Sequence, residues 1–361
     1  MNWPNHVEKI LSKLDIALPI IQAPMAGGFT TPELIAAVSN AGGLGSIGAA
    51  LLTPESLCEI IQATRALTSK SFSVNLFAPL KYERSEEKIQ KINEIMAVYR
   101  QELNISPSIT ADIKQPISFE EQLEAVLSEK IKIISFTFGT PGSEILRKLK
   151  NHQIIVIGTA TTVKEAILLE KLGYDIIVAQ GSEAGGHRGT FLDSFENSMI
   201  GTMALVPQMV DAVKIPVIAA GGIMDSRGLE AAIILGACAV QMGTAFLTCP
   251  EAGTHPKHKA AILEGTEEHT KITSVFSGRP ARGIRNRFMD EMEKYQNSLP
   301  DYPLQQSLTS SIRKKAAELN REEFLALWAG QGIRLSQSKP AAQLLLELMS
   351  RLTIFNKTNN K

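Results

Sequence analysis

The chain has 361 residues, 44% of them hydrophobic, and its 37 Lys and Arg balance 37 Asp and Glu. Zero formal charge and no long basic run leave no positive footprint for nucleic acid or an anionic membrane surface. The three cysteines, Cys58, Cys238 and Cys249, lack CxxC spacing; this argues against a disulfide framework or a thiolate zinc site and suits a reducing cytoplasm.

The N-terminal stretch MNWPNHVEKILSKL has no apolar core of a secretory signal. No run approaches the roughly 18 apolar residues of a membrane span. Short apolar runs then alternate with helical patterns. LPIIQAP (18–24) comes first, followed by TPELIAAVSNAGG (31–43), where Thr31 reads as an N-cap, Pro32 as the first helical position and glycine as the stop. LGSIGA (44–49) precedes a helical pattern from Pro54 to Leu67, and FSVNLF (72–77) is the third run. KIISF (132–136), IIVIGTA (154–160), DIIVAQG (175–181), PVIAAGG (216–222) and CAVQMG (238–243) complete eight candidate strands. They are continuously apolar, as strands buried on both faces of a parallel sheet are. TVKEAILLEKLG (162–173) and SRGLEAAIILGA (226–237) carry the helical period between them. Eight β-α units in one run predict an α/β fold, a (β/α)8 TIM barrel over residues 1–250.

Three segments fall outside the repeat. Residues 80–116 hold a charged helical stretch after strand three, read as a solvated helix with pairs such as Glu87–Lys91, or alternatively as a cap on the barrel mouth. Residues 188–200 lengthen the loop after strand six. Residues 251–361 form a partly helical extension packing on the barrel, and its last residues, NKTNNK, are expected to fray.

Barrel chemistry belongs to the loops at the C-terminal strand ends. Strand one runs into Pro24, Met25, Ala26 and Gly27; strand three ends at Asn75; strand six ends at Gln180, before Gly185 and Gly186. Strand seven ends in Gly221-Gly222, and strand eight in Gln241-Met242-Gly243-Thr244. Glycines at these last two ends either serve tight turns or let backbone amides approach an anion, with the following helix adding its positive end. Their place in the barrel points to a phosphate-bearing ligand. GxGxxG after a strand and the Walker pattern are absent.

Six histidines are available. His152 precedes strand five on the stability face, and His6 and His269 have no partner pattern. His255 and His258 lack a nearby carboxylate for a metal site, so no metal is expected. His187 alone follows a strand end on the catalytic face, where imidazole suits proton transfer. Glu183 either orients it or caps the turn; Arg188 either attracts an anionic substrate or pairs with a carboxylate.

The motifs QAPMAGGFTTPELIAAVSNAGGLGSIGA, VNLF, SFTFG, GTATTVKEA, VAQGSEAGGHRGTF, PVIAAGGIMDSRG and VQMGTAFL together resemble the nitronate monooxygenases. SGRPARGIRN, YPLQQSLTSSIRKKA and LWAGQ extend the resemblance more loosely into the tail. The resemblance implies an FMN-dependent enzyme that oxidises alkyl nitronates with O2 to a carbonyl compound and nitrite. The implied substrate is a small anion, propionate 3-nitronate, and the implied role is detoxification. It further implies FMN contacts at Asn75, Gln180, Gly185 and Gly222, with Gln241, Met242, Gly243 and Thr244 at the phosphate. Met25 and its neighbours would lie against the flavin ring, Gly186 and Gly221 would join the cofactor set, and His187 would be catalytic. Two rival expectations are an FMN- and NAD(P)H-dependent enoyl-acyl-carrier-protein reductase and a flavin-binding protein without turnover. Tyr295, Tyr302 and Arg285 are candidates for closing the site from the tail. The oligomeric state is left open by the residues.

Overall fold

The computed structural model describes residues 3–106 and 117–355, so NKTNNK and the end of the 80–116 insertion lie outside the described residues. Eight parallel strands follow one another in the predicted places: β1 (Ile20–Gln22), β2 (Gly45–Gly48), β3 (Phe72–Phe77), β4 (Ile133–Thr137), β5 (Ile155–Ala160), β6 (Ile176–Gln180), β7 (Val217–Ala220) and β8 (Ala239–Met242). Each pairs with its sequence neighbour, and β8 returns to β1 with Ile20 beside Val240. The seam between β1 and β2 is bridged at Ile21 and Leu44, so the eight strands form a (β/α)8 barrel.

The apolar runs of the strands face two ways. Outward side chains such as Val74, Ile134, Val156 and Ala219 pack under the helices in the main core. Inward ones, including Ile133, Ile157, Ile176 and Ile218, fill the barrel. An N-terminal helix, Asn5–Leu14, sends Ile10 and Leu14 into this inner cluster and plugs the barrel floor. Thr31 caps the helix Pro32–Asn40 by accepting the Leu34 amide at 3.1 Å, as its sequence predicts.

The cover over the opposite end departs from the solvated reading of the insertion and agrees with its alternative as a cap. The insertion helices Glu86–Ile95 and Ala97–Glu102 are not a solvated appendage. Ile89, Ile92, Met96, Tyr99 and Leu103 join Phe276, Phe288, Met292 and Phe324 in a second hydrophobic cluster. Lys91 bonds Ser298 at 3.3 Å across this join. Insertion and C-terminal segment thus bury one another's apolar faces, which neither could do alone.

A three-stranded antiparallel sheet of Thr270–Thr273, Ala281–Ile284 and Gly186–His187 fastens the cover to the loop after β6. The C-terminal segment also supplies the barrel's missing outer helix. Ala341–Ser350 buries Leu344, Leu345 and Leu348 in the main core and packs on Pro32–Asn40. The segment between β8 and this helix is therefore an insertion within the barrel, covering its mouth.

Candidate active site

Every strand-end residue singled out in the sequence meets in one cavity of about 370 Å3 under the cover. Its wall contains Pro24, Met25, Ala26 and Gly27 after β1, Asn75 on β3, and Gln180, Gly185, Gly186 and His187 on and after β6. Gly221 and Gly222 after β7, and Gln241, Met242, Gly243 and Thr244 on and after β8, complete that side. The volume is that of a small-molecule site.

The loop after β6 is pinned at each residue. Gln180 reaches over it: its Nε2 donates to the His187 carbonyl at 3.0 Å, and its Oε1 accepts the Gly189 amide at 2.8 Å. Buried Glu165 accepts from the Thr161 amide and hydroxyl, both at 2.6 Å, and from the Thr190 hydroxyl and the Phe191 and Leu192 amides. Arg188 donates to the carbonyls of Gln180 and Ser198, so it staples the loop instead of meeting a ligand or a surface carboxylate. Glu183 caps the helix Thr202–Ala212, accepting the Thr202 amide and hydroxyl at 2.9 Å; it is not the partner of His187.

That partner is Ser277, a residue the sequence reading did not select. His187 Nε2 lies 2.8 Å from Ser277 Oγ, from a position 90 residues later in the chain. Ser277 is fully buried and donates its own proton to the Arg279 carbonyl at 3.1 Å. Ser277 Oγ also accepts the Arg279 amide at 3.2 Å, and a hydroxyl engaged with both backbone groups can accept a hydrogen bond from His187 Nε2–H, the tautomer that leaves the lone pair on Nδ1. Burial pushes the His187 pKa down to about 3, and the Arg279 and Arg313 charges act in the same direction. The imidazole is therefore neutral at physiological pH.

Aromatic rings surround it. The centroids of Trp328, Phe138, Tyr302 and Phe77 lie 5.7, 5.8, 6.1 and 6.5 Å from that of His187. Phe138 holds a left-handed backbone with φ of 71°, a conformation that surrounding structure must enforce. Of the three tail candidates, Tyr302 lines the cavity. Tyr295 packs against the second cluster, and Arg285 pairs with Asp290 at 2.7 Å on the surface. LWAGQ closes the other side: Gly330 donates to Thr244 Oγ1 at 2.9 Å, and Gln331 donates to the Glu183 carbonyl at 2.9 Å. His255 and His258 stand on the same wall, but each directs Nε2 at a backbone carbonyl, of Ala317 at 3.1 Å and Trp328 at 3.0 Å.

Two sequence arguments about glycine change. Gly185 is required by the tail: a Cβ there would lie 2.5 Å from the Ala329 carbonyl carbon and the Gly330 nitrogen. The helix after β7 offers no free end, because Asp225 already accepts the Arg227 and Gly228 amides. After β8 only one turn, Thr244–Leu247, follows. What remains for an anion is the backbone itself, with Gly221 and Gly222 at φ of 113° and 71° on the cavity wall.

A barrel with a covered cavity on its catalytic face, walled by glycine turns and a half-buried neutral histidine, defines a barrel enzyme acting on a small molecule. A profile of the nitronate monooxygenase family matches residues 8–351. A probable nitronate monooxygenase of Staphylococcus haemolyticus is 47% identical over 97% of this chain and 98% of its own length. One from Staphylococcus aureus is 46% identical over 95% and 97%. Among solved structures, nitroalkane oxidase from Streptomyces ansochromogenes is 37% identical, with a TM-score of 0.87 over 95% of this chain and 97% of that one. FabK from Thermotoga maritima is 30% identical, with a TM-score of 0.75 over 95% of each chain. The chain belongs to the nitronate monooxygenase family. It is an oxidoreductase acting on a small nitronate with O2, and its family consists of flavin enzymes. Among the described residues no helix is long and apolar enough to cross a membrane.

Proposed function

We propose that this enzyme uses FMN to oxidise alkyl nitronates to a carbonyl compound and nitrite, and that its substrate is propionate 3-nitronate, whose removal is protective. The observation carrying this reading is the cavity that gathers His187 and the strand-end residues beneath an aromatic lid. Its walls fit a flavin mononucleotide. Gly221 and Gly222, in conformations side chains rarely adopt, would hold the phosphate together with Gln241, Met242, Gly243 and Thr244. Pro24, Met25, Ala26 and Gly27 would flank the ring, with Asn75, Gln180, Gly185 and Gly186 along its edges. FMN, when bound there, supplies the electron acceptor for the oxidation.

The chain's own part is to orient the substrate, exclude water and handle one proton. The ring cage of Phe77, Phe138, Tyr302 and Trp328 keeps the reacting atoms dry. His187 is the base: a neutral imidazole with its lone pair on Nδ1 accepts the α-proton of a nitroalkane and makes the nitronate in place. Its depressed pKa keeps the imidazole unprotonated, which argues against a cationic anchor for the nitronate oxygens.

Oxygen consumption with propionate 3-nitronate tests reaction and substrate together. His187→Ala should retain its flavin and lose roughly a hundredfold or more of its turnover on neutral nitroalkanes, in the range of general base catalysis. Unchanged turnover on them would remove His187 from the chemistry. Anaerobic mixing with NADH should leave the flavin oxidised; rapid bleaching would favour the reductase reading instead.

A further inference from the structure

We infer that Arg313, with Tyr302 beside it, forms an anion subsite in the His187 end of the cavity and receives a carboxylate carried by the nitronate substrate. The inference rests on the nitronate reading above and names the residue that would select among nitronates. Arg313 belongs to the helix Ser310–Glu318 of the cover and lines the cavity with Tyr302 and Gln306. Its Nε donates to Thr309 Oγ1 at 3.2 Å, and Nη2 donates to the Gln306 carbonyl at 2.9 Å. Both acceptors are neutral. Among the described residues no carboxylate forms an ion pair with it, and no acceptor is found for Nη1.

A guanidinium shielded from bulk water with no counter-charge is unfavourable unless something anionic completes it. Arg279 shows the alternative. It too is half-buried without a carboxylate ion pair, but its guanidinium sits 4.0 Å over the Phe138 ring and its Nη2 bonds the Thr190 carbonyl. Arg279 is spent on structure and does not line the cavity. Arg313 does, and its planar fork suits the two oxygens of a carboxylate. The positive charge also depresses the basicity of His187, which places it near the imidazole. The flavin phosphate is the other anion available. None of the partners of Arg313 comes from the glycine turns after β7 and β8, which favours the substrate carboxylate.

The test compares propionate 3-nitronate with propyl-1-nitronate, which has the same carbon chain and no carboxylate. In Arg313→Met the ratio of kcat/KM for the first over the second should fall by about ten- to a hundredfold, the value of a hydrogen bond to a charged group. Arg313→Lys should recover part of it. Succinate, an unreactive dicarboxylate, should perturb the flavin spectrum of the wild type and not of Arg313→Met. This binding readout stands even if neither nitronate is turned over, an outcome that would sink the nitronate reading alone. Equal losses on both nitronates, or a succinate response unchanged by the substitution, would overturn the subsite. Loss of bound FMN from Arg313→Met would assign Arg313 to the phosphate instead.

Discussion

Ser277 has one hydroxyl proton and two neighbours that compete for it. With the Arg279 carbonyl taking it, the serine accepts from His187 and favours a proton on Nε2. Ser277 is thus a positioning residue. Ser277→Ala should lower kcat on a neutral nitroalkane by roughly fivefold to thirtyfold, the worth of 1–2 kcal/mol. Turnover of a preformed nitronate should fall less, since its proton is already gone, and Ser277→Thr should restore the difference. Equal losses on both substrates would reduce the serine to a packing residue. At this scale the sequence was legible where chemistry follows an apolar run: Gln180 ends a strand, and His187 and the glycines stand in the turns and loops that follow strands. Ser277, Arg313 and Trp328 were not, because they come from cover segments whose address in space depends on long-range packing. Phe77 and Phe138 read only as strand-end hydrophobics, although they face His187.

Among elements, the contact between the loop after β6 and the segment LWAGQ is the tightest join in the site. Gly185 and Gly330 meet with no room for a side chain, as a Cβ on Gly330 would lie 2.6 Å from the Glu183 carbonyl oxygen. Gly185→Ala should therefore lift the tail off Thr244 and cost about 1–3 kcal/mol as an overpacked contact. Thermal denaturation and flavin retention after gel filtration would read the two effects; an unchanged melting temperature would show that the join yields without cost. The barrel strands were readable because each is buried on both faces and must be apolar throughout. The insertion helix was harder. Its charged surface reads as solvated, and the apolar stripe of Ile89, Ile92 and Met96 finds its partner nearly two hundred residues later.

The whole molecule keeps two imidazoles uncharged in its interior. His187 is half-buried and His258 fully so, and the pKa of His258 is pushed down to about 4 from 6.5, chiefly by burial. An unfolded chain takes up these protons first. Stability is therefore intact above pH 6.5 and is lost as the pH falls toward 4, by on the order of 3 kcal/mol for His258 alone. Melting temperature should decline through this window, and His258→Gln, which still offers a donor to the Trp328 carbonyl, should flatten the decline. Parallel curves for the two proteins would contradict it.

The barrel's ring of helices closes with Ala341–Ser350 against Pro32–Asn40, and the rings of Trp3 and Phe355 meet 5.3 Å apart. About three hundred residues of chain separate these partners, so during synthesis the first outer helix emerges well before the one that covers it. Until then the flank of Pro32–Asn40 where Leu345 will rest stays open. The cover, encoded between β8 and that final helix, is already present when the ring shuts. A nascent chain thus gains its lid before its wall is whole, and any product ending early keeps the active-site residues but lacks the helix that holds the barrel round them.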